Sequence, residues 1–153
     1  MAAVTDVLDH ASASLTLHVS DIDVAIGWYT KVFGKELIHR GTDTSRDGES
    51  TSFAVFTLAG MKVFLSETDL GGENCGHRHH RPVLVFMTRE ALSVLRHELE
   101  ARGAIFRDDE IVDGFPADAH GVRAGRNAEF LWFYDPDGNK MEFCRVLQQV
   151  SPR

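Results

Sequence analysis

Hydrophobic and polar positions alternate from Ser14 to Val19, so Leu15, Leu17 and Val19 share one face and Ser14, Thr16 and His18 the other. That pattern predicts a strand with one polar face. Ser20 and Asp21 then offer N-caps for a helix whose Ile22, Ala25, Ile26, Tyr29 and Phe33 recur at helical spacing, with Gly34 as its stop. A strand around Glu36 to Arg40, a polar loop from Gly41 to Ser50, and strands at Thr51 to Leu58 and Met61 to Glu67 follow. In the last of these Met61, Val63 and Leu65 point inward, and Lys62, Phe64 and Ser66 outward.

The order then begins again. Residues 68–81 have the glycine content and polarity of a linker. Pro82 to Met87 is an apolar strand, and Thr88 can cap a helix carrying Leu92, Leu95 and Leu99 that Gly103 closes. A strand lies within Ala104 to Val112, and Asp113 to Asn127 is a glycine-rich loop. The chain ends in a hairpin over Phe130 to Cys144, turned at Asp135-Pro136-Asp137-Gly138. Each half thus reads strand, helix, three strands, which is an architectural repeat.

The hairpin is the most informative stretch. With a three-residue loop Asp135 pairs with Asn139, so Trp132 falls opposite Glu142 and Phe130 opposite Cys144 on one face. Leu131, Phe133, Met141 and Phe143 form the other, wholly apolar face, suited to a core. Glu142 is therefore a carboxylate among aromatics, costly there unless it is hydrogen-bonded, metal-bound or wet.

Composition narrows the classes. A chain of 153 residues with 43% hydrophobic residues can bury a sizeable core. Its 16 basic and 23 acidic residues give a net charge of -7 without long runs of either sign, which recommends neither nucleic acid nor an anionic membrane as partner. The N-terminal segment lacks the form of a secretory signal, and no apolar stretch reaches membrane-spanning length, so a cytoplasmic protein is expected. Cys75 and Cys144 are expected to be reduced thiols. No nucleophile elbow, phosphate loop or Ser-His-Asp spacing occurs.

LTLHVSDIDVAIGWYTKVFGKEL at 15–37 and FLWFYDPDGNKMEF at 130–143, with the repeat, resemble the vicinal oxygen chelate superfamily of glyoxalases, bleomycin-resistance proteins and extradiol dioxygenases. The resemblance implies an α+β fold of two βαβββ modules forming a cup-shaped mixed sheet, commonly as a homodimer. It divides the chain into an arm at 1–13, a first module at 14–67, a linker at 68–81, a second module at 82–147 and a tail at 148–153.

Metal-dependent relatives line the cup with His, Gln or Glu at matched strand positions. Here the final-strand position holds Glu142, but the other three fall on Ser14, Val83 and near Phe64, which are poor or impossible ligands. The usual metal site is therefore expected to be absent, and no cofactor is predicted. If an ion binds, Glu142 and His18 would hold it; His18 shares the face of Ser14 and lies roughly 6 to 7 Å along the strand. His77-Arg78-His79-His80, with Cys75 nearby, has zinc or nickel ligand types but lacks a second cluster to complete a tetrahedral site.

The expected ligand-binding residues are Thr16, His18, Phe64, Phe130, Trp132, Tyr134, Glu142 and Cys144. Aromatics with a few polar groups on a concave face suit a planar or amphipathic small molecule. The function expected is small-molecule binding, such as sequestration of an aromatic antibiotic. The alternative is a metal-dependent lyase, isomerase, transferase or dioxygenase with relocated ligands including Glu142. A purely structural or partner-binding module survives if the cup is filled by its own side chains.

Overall fold

A computed structural model describes residues 11–69 and 82–147. The first module contains β1 (Ser14–Val19), α1 (Ile22–Phe33), β2 (His39–Thr44), β3 (Ser50–Leu58) and β4 (Met61–Glu67). The second contains β5 (Leu84–Met87), α2 (Leu92–Ala101), β6 (Arg123–Ala124), β7 (Ala128–Tyr134) and β8 (Lys140–Val146). Each module forms a four-stranded mixed sheet, ordered β1-β4-β3-β2 and β5-β8-β7-β6, so β1 and β5 each lie at an edge, parallel to the last strand of their module.

Local chemistry explains the elements. Asp21 caps α1 by accepting from the Val24 amide at 3.0 Å, and Gly34 ends it at φ 61°. Ala59 and Gly60 both have positive φ, the two-residue turn whose twist suits β3 and β4. The final hairpin has the expected register, with Trp132 opposite Glu142 and Asp135 donating its amide to the Asn139 carbonyl at 3.1 Å.

Three expectations are corrected. β2 begins at His39 and runs to Thr44, into the expected loop; both its faces are polar, and pairing with β3 makes it a strand. The Phe53 ring crosses Gly41, where a Cβ would lie 2.7 Å from it, so any larger residue requires the ring to shift. In the second module Ala104 to Val112 holds only a bridge from Ile105 to Tyr134; the third strand is Arg123–Ala124, inside the expected loop. Thr88 does not cap α2: it bonds the Glu90 amide, and Ala91 occupies the cap position without a side-chain bond.

The core joins both modules. Tyr29 of α1 packs on Phe56 of the first sheet, with ring centroids 5.9 Å apart, and Phe33 meets Phe86 and Phe133 of the second at 5.7 and 6.1 Å. A polar node reinforces this contact. Asp135, 1% exposed, accepts from the Tyr29 hydroxyl at 2.9 Å, the Asn139 amide at 2.8 Å and the Asn139 side chain at 2.7 Å. Asn139 Nδ2 also donates to the His18 carbonyl at 2.9 Å. Burial raises the Asp135 carboxyl above its ordinary value, against the pull of these donors, and burial together with Asp135 raises the Tyr29 phenol.

Two arginines hold the segment between α2 and β6. Arg96, itself buried, forks onto Asp108 at 2.7 and 2.8 Å and stacks 3.7 Å over the Phe106 ring. Gly121 sits against this fork at φ 70°, where a Cβ would come within 2.5 Å of Asp108 Oδ1. Arg123 donates to the carbonyls of Phe115 at 2.9 Å and Glu110 at 2.7 Å. The segment therefore lies along the second sheet, and Phe115 meets Phe130 edge-on.

Tyr29→Phe should lower the unfolding free energy by about 1 to 3 kcal/mol in urea titration, because a buried carboxylate loses a donor; an unchanged midpoint would remove the node from the account. Gly121→Ala should cost roughly 1 to 2 kcal/mol from its left-handed backbone alone. Faster proteolysis between residues 106 and 120 should accompany it, and wild-type resistance there would refute the clamp.

Candidate functional site

Strand pleating places the expected ligand-binding residues on the polar faces of two separate sheets. Thr16, His18 and Phe64 belong to the first sheet, where Thr16 pairs with Phe64. Phe130, Trp132, Tyr134, Glu142 and Cys144 belong to the second. Among the described residues, no hydrogen bond, ion pair or ring contact joins these side chains across the sheets. The expected residues thus group by sheet, one set on each module.

The first-sheet face carries a hollow of about 380 Å³ lined by Thr16, Asp43, Thr51, Phe53, Phe64 and Ser66. Phe53 and Phe64 lie 6.3 Å apart, so an aromatic floor is edged by hydroxyls and a carboxylate. His18 lies beyond this lining, with Nδ1 3.0 Å from Thr68 Oγ1.

On the second sheet Trp132 Nε1 donates to Glu142 Oε2 at 2.7 Å, fixing the indole plane. The Lys140 ammonium lies 3.5 Å from the Trp132 ring centroid and the Arg123 guanidinium 4.7 Å from it. Tyr134 donates its hydroxyl to Glu110 Oε2 at 2.8 Å, and Arg107 stacks 3.9 Å over the Tyr134 ring. Burial, then the bond to Glu110, pushes the Tyr134 phenol up to about 12. Burial holds Lys140 below its ordinary value against the opposing charges of Glu110 and Glu142, and burial raises the Cys144 thiol. Cys144 is free and buried, so it contributes wall rather than a reactive thiolate.

Among the described residues, no group of three His, Cys, Asp or Glu converges as a metal site would require. Glu142 and His18 stand on different sheets, each with its own hydrogen-bond partner. Ser14 is exposed, Val83 is 42% exposed and precedes β5, and Phe64 is apolar. The His77 to His80 cluster and Cys75 lie outside the described residues. No helix among the described residues is long and apolar enough to cross a membrane.

Glu110, Arg123, Lys140 and Arg107 were not legible as site residues. Lys140, two residues before Glu142, shares its strand face and was within reach of the pattern. The other three depend on how the segment after α2 folds back, which has no periodicity to read.

Several solved structures share the fold across nearly the whole chain. A glyoxalase/bleomycin resistance protein/dioxygenase domain from Frankia sp. EAN1pec is 23% identical over 92% of this chain and 94% of its own, with a TM-score of 0.64. A protein of that same description from Alicyclobacillus acidocaldarius is 17% identical over 90% and 92%, at 0.60. The fosfomycin resistance protein FosX from Listeria monocytogenes, complexed with Mn(II) and sulfate, is 16% identical over 92% and 93%, at 0.57. These likenesses establish the fold, and the sequence model of the family matches residues 8–143. With its duplicated modules and that match, the chain belongs to the Glyoxalase/Bleomycin resistance protein/Dioxygenase superfamily.

Proposed function

We propose that this chain binds a flat aromatic or amphipathic small molecule without a metal ion, as a protein that sequesters an antibiotic would. The carrying observation is the 2.7 Å bond from Trp132 Nε1 to Glu142 Oε2. The bond takes one acceptor site of Oε2 and orients the carboxylate toward the indole, and the indole nitrogen, a donor only, cannot itself ligate an ion. The same bond makes Trp132 a rigid aromatic wall, which favours stacking at low entropic cost. The donor set around Glu142 does not fit a divalent ion, since Trp132 and Val85 are its strand neighbours.

A homodimer belongs to this proposal. Among the described residues β1 and β5 each leave one edge without a strand partner, and Val85 and Met87 are 46% and 65% exposed beside Glu142 and Cys144. Apolar edge positions of this kind favour a covering partner. A second copy there would bring the hollow of one chain toward Trp132 of the other and reunite the expected site.

The metal-dependent alternative is favoured by the Mn(II) held by the FosX structure. Elemental analysis after incubation with zinc, nickel, manganese or iron and desalting separates the readings. The proposal expects no ion whose retention depends on Glu142. One ion per chain that disappears in Glu142→Gln would establish the alternative, whereas retention unaffected by that change would point to the histidine cluster.

Binding itself is tested by calorimetric titration with 2-naphthalenemethanol, a neutral bicyclic probe. Trp132→Ala should weaken it about tenfold, the equivalent of roughly 1.4 kcal/mol of lost stacking. Equal affinity in the variant would refute the assignment of this wall.

A further inference from the structure

Three cations crowd the aromatic face of the second sheet without an ion pair. Arg123 is 4% exposed and engages two backbone carbonyls and the Trp132 ring. Lys140 rests on that ring, and Arg107 on the ring of Tyr134. The ion pairs among the described residues involve other arginines, so no described carboxylate lies within 4.0 Å of these three cations. In a chain of net charge -7 these cations gather on one face with only longer-range opposition: Glu110 and Glu142 act on Lys140, and Asp108 on Arg123.

Two acidic side chains, Glu110 and Glu142, act on Lys140. Glu110 accepts the Tyr134 hydroxyl at 2.8 Å, while its own backbone carbonyl is held by Arg123 at 2.7 Å. The backbone clamp fixes where the carboxylate lies, but the side chain can rotate away without loosening the segment. Glu142 does not serve the same purpose, because its Oε2 is taken by Trp132.

We propose that Tyr134, Lys140 and Arg123 form an oxyanion-binding subsite for an aromatic carboxylate, and that Glu110 is its built-in occupant, displaced when such a ligand binds. The inference rests on the small-molecule reading above and specifies its ligand class. The ligand ring takes the place of the Lys140 ammonium on Trp132, and its carboxylate takes the Tyr134 hydroxyl and the displaced ammonium in place of Glu110. Glu110 returns to water, where hydration offsets the bond it loses. A hollow of about 360 Å³ adjoins the subsite, with Glu110 and Arg123 themselves in its lining beside Asp108, Asp109 and Asp113.

Calorimetry with 2-naphthoate and the isosteric 2-naphthalenemethanol tests this on the full chain. Glu110→Gln should bind naphthoate about tenfold more tightly than the wild type, with the alcohol changed by less than about twofold. Adding Lys140→Met should return naphthoate to the affinity of the alcohol. Thermal unfolding verifies that the variants are folded, and Glu110→Asp, which withdraws the carboxylate by one methylene, supplies the same comparison if Glu110→Gln is not. Naphthoate bound no more tightly after the Glu110 change, or indifferent to Lys140→Met, while the alcohol still binds, would overturn this inference alone. Failure of both probes to bind any variant would overturn it together with the reading on which it rests.

Discussion

The buried carboxylate of Asp135 is the constraint on which the rest of the structure depends. It closes the turn between β7 and β8, takes the Tyr29 hydroxyl from the helix of the other module, and orients Asn139 toward the His18 carbonyl of β1. A carboxylate that is 1% exposed is tolerated only with such a set of donors. One side chain therefore fixes the geometry of a turn and the contact between two modules.

That geometry also decides the chemistry of the polar face. Strand side chains alternate, so a slip of one residue in β7 would exchange Trp132 for Leu131 or Phe133, and one in β8 would turn Lys140 and Glu142 into the core. Leu131, Phe133 and Met141 are fully buried, which anchors the register against such a slip. Trp132 and Glu142 are consequently paired by the demands of the core, and their hydrogen bond follows from the pairing. Arg123 links the same face to the segment after α2, stacking on Trp132 while holding the carbonyls of Glu110 and Phe115. Fold and candidate site thus share residues.

The duplicated order, the cap at Asp21, the stop at Gly34 and the hairpin register were legible because each is a local rule: period, cap or turn chemistry. The β2 strand escaped because both its faces are polar; only the pairing with β3 and the passage of Phe53 over Gly41 make it a strand. The segment at 104–122 escaped for a related reason. Its course is set by the Arg96–Asp108 fork and by Arg123, which join residues far apart in sequence, so no short window contains the signal. The same gap concealed Glu110 and Arg107. Pleating predicted which residues share a face, and the repeat assigned each module its own sheet.

The final-strand carboxylate is bonded to an indole, and the proposed ligand surface depends on that bond. The most direct measurement is the indole Nε1–H resonance of Trp132 during zinc titration, assigned by comparison with Trp28→Phe. The account predicts a strongly hydrogen-bonded proton whose shift stays fixed through two equivalents of zinc. A stoichiometric loss or displacement of that resonance would show zinc taking the carboxylate, and would contradict it.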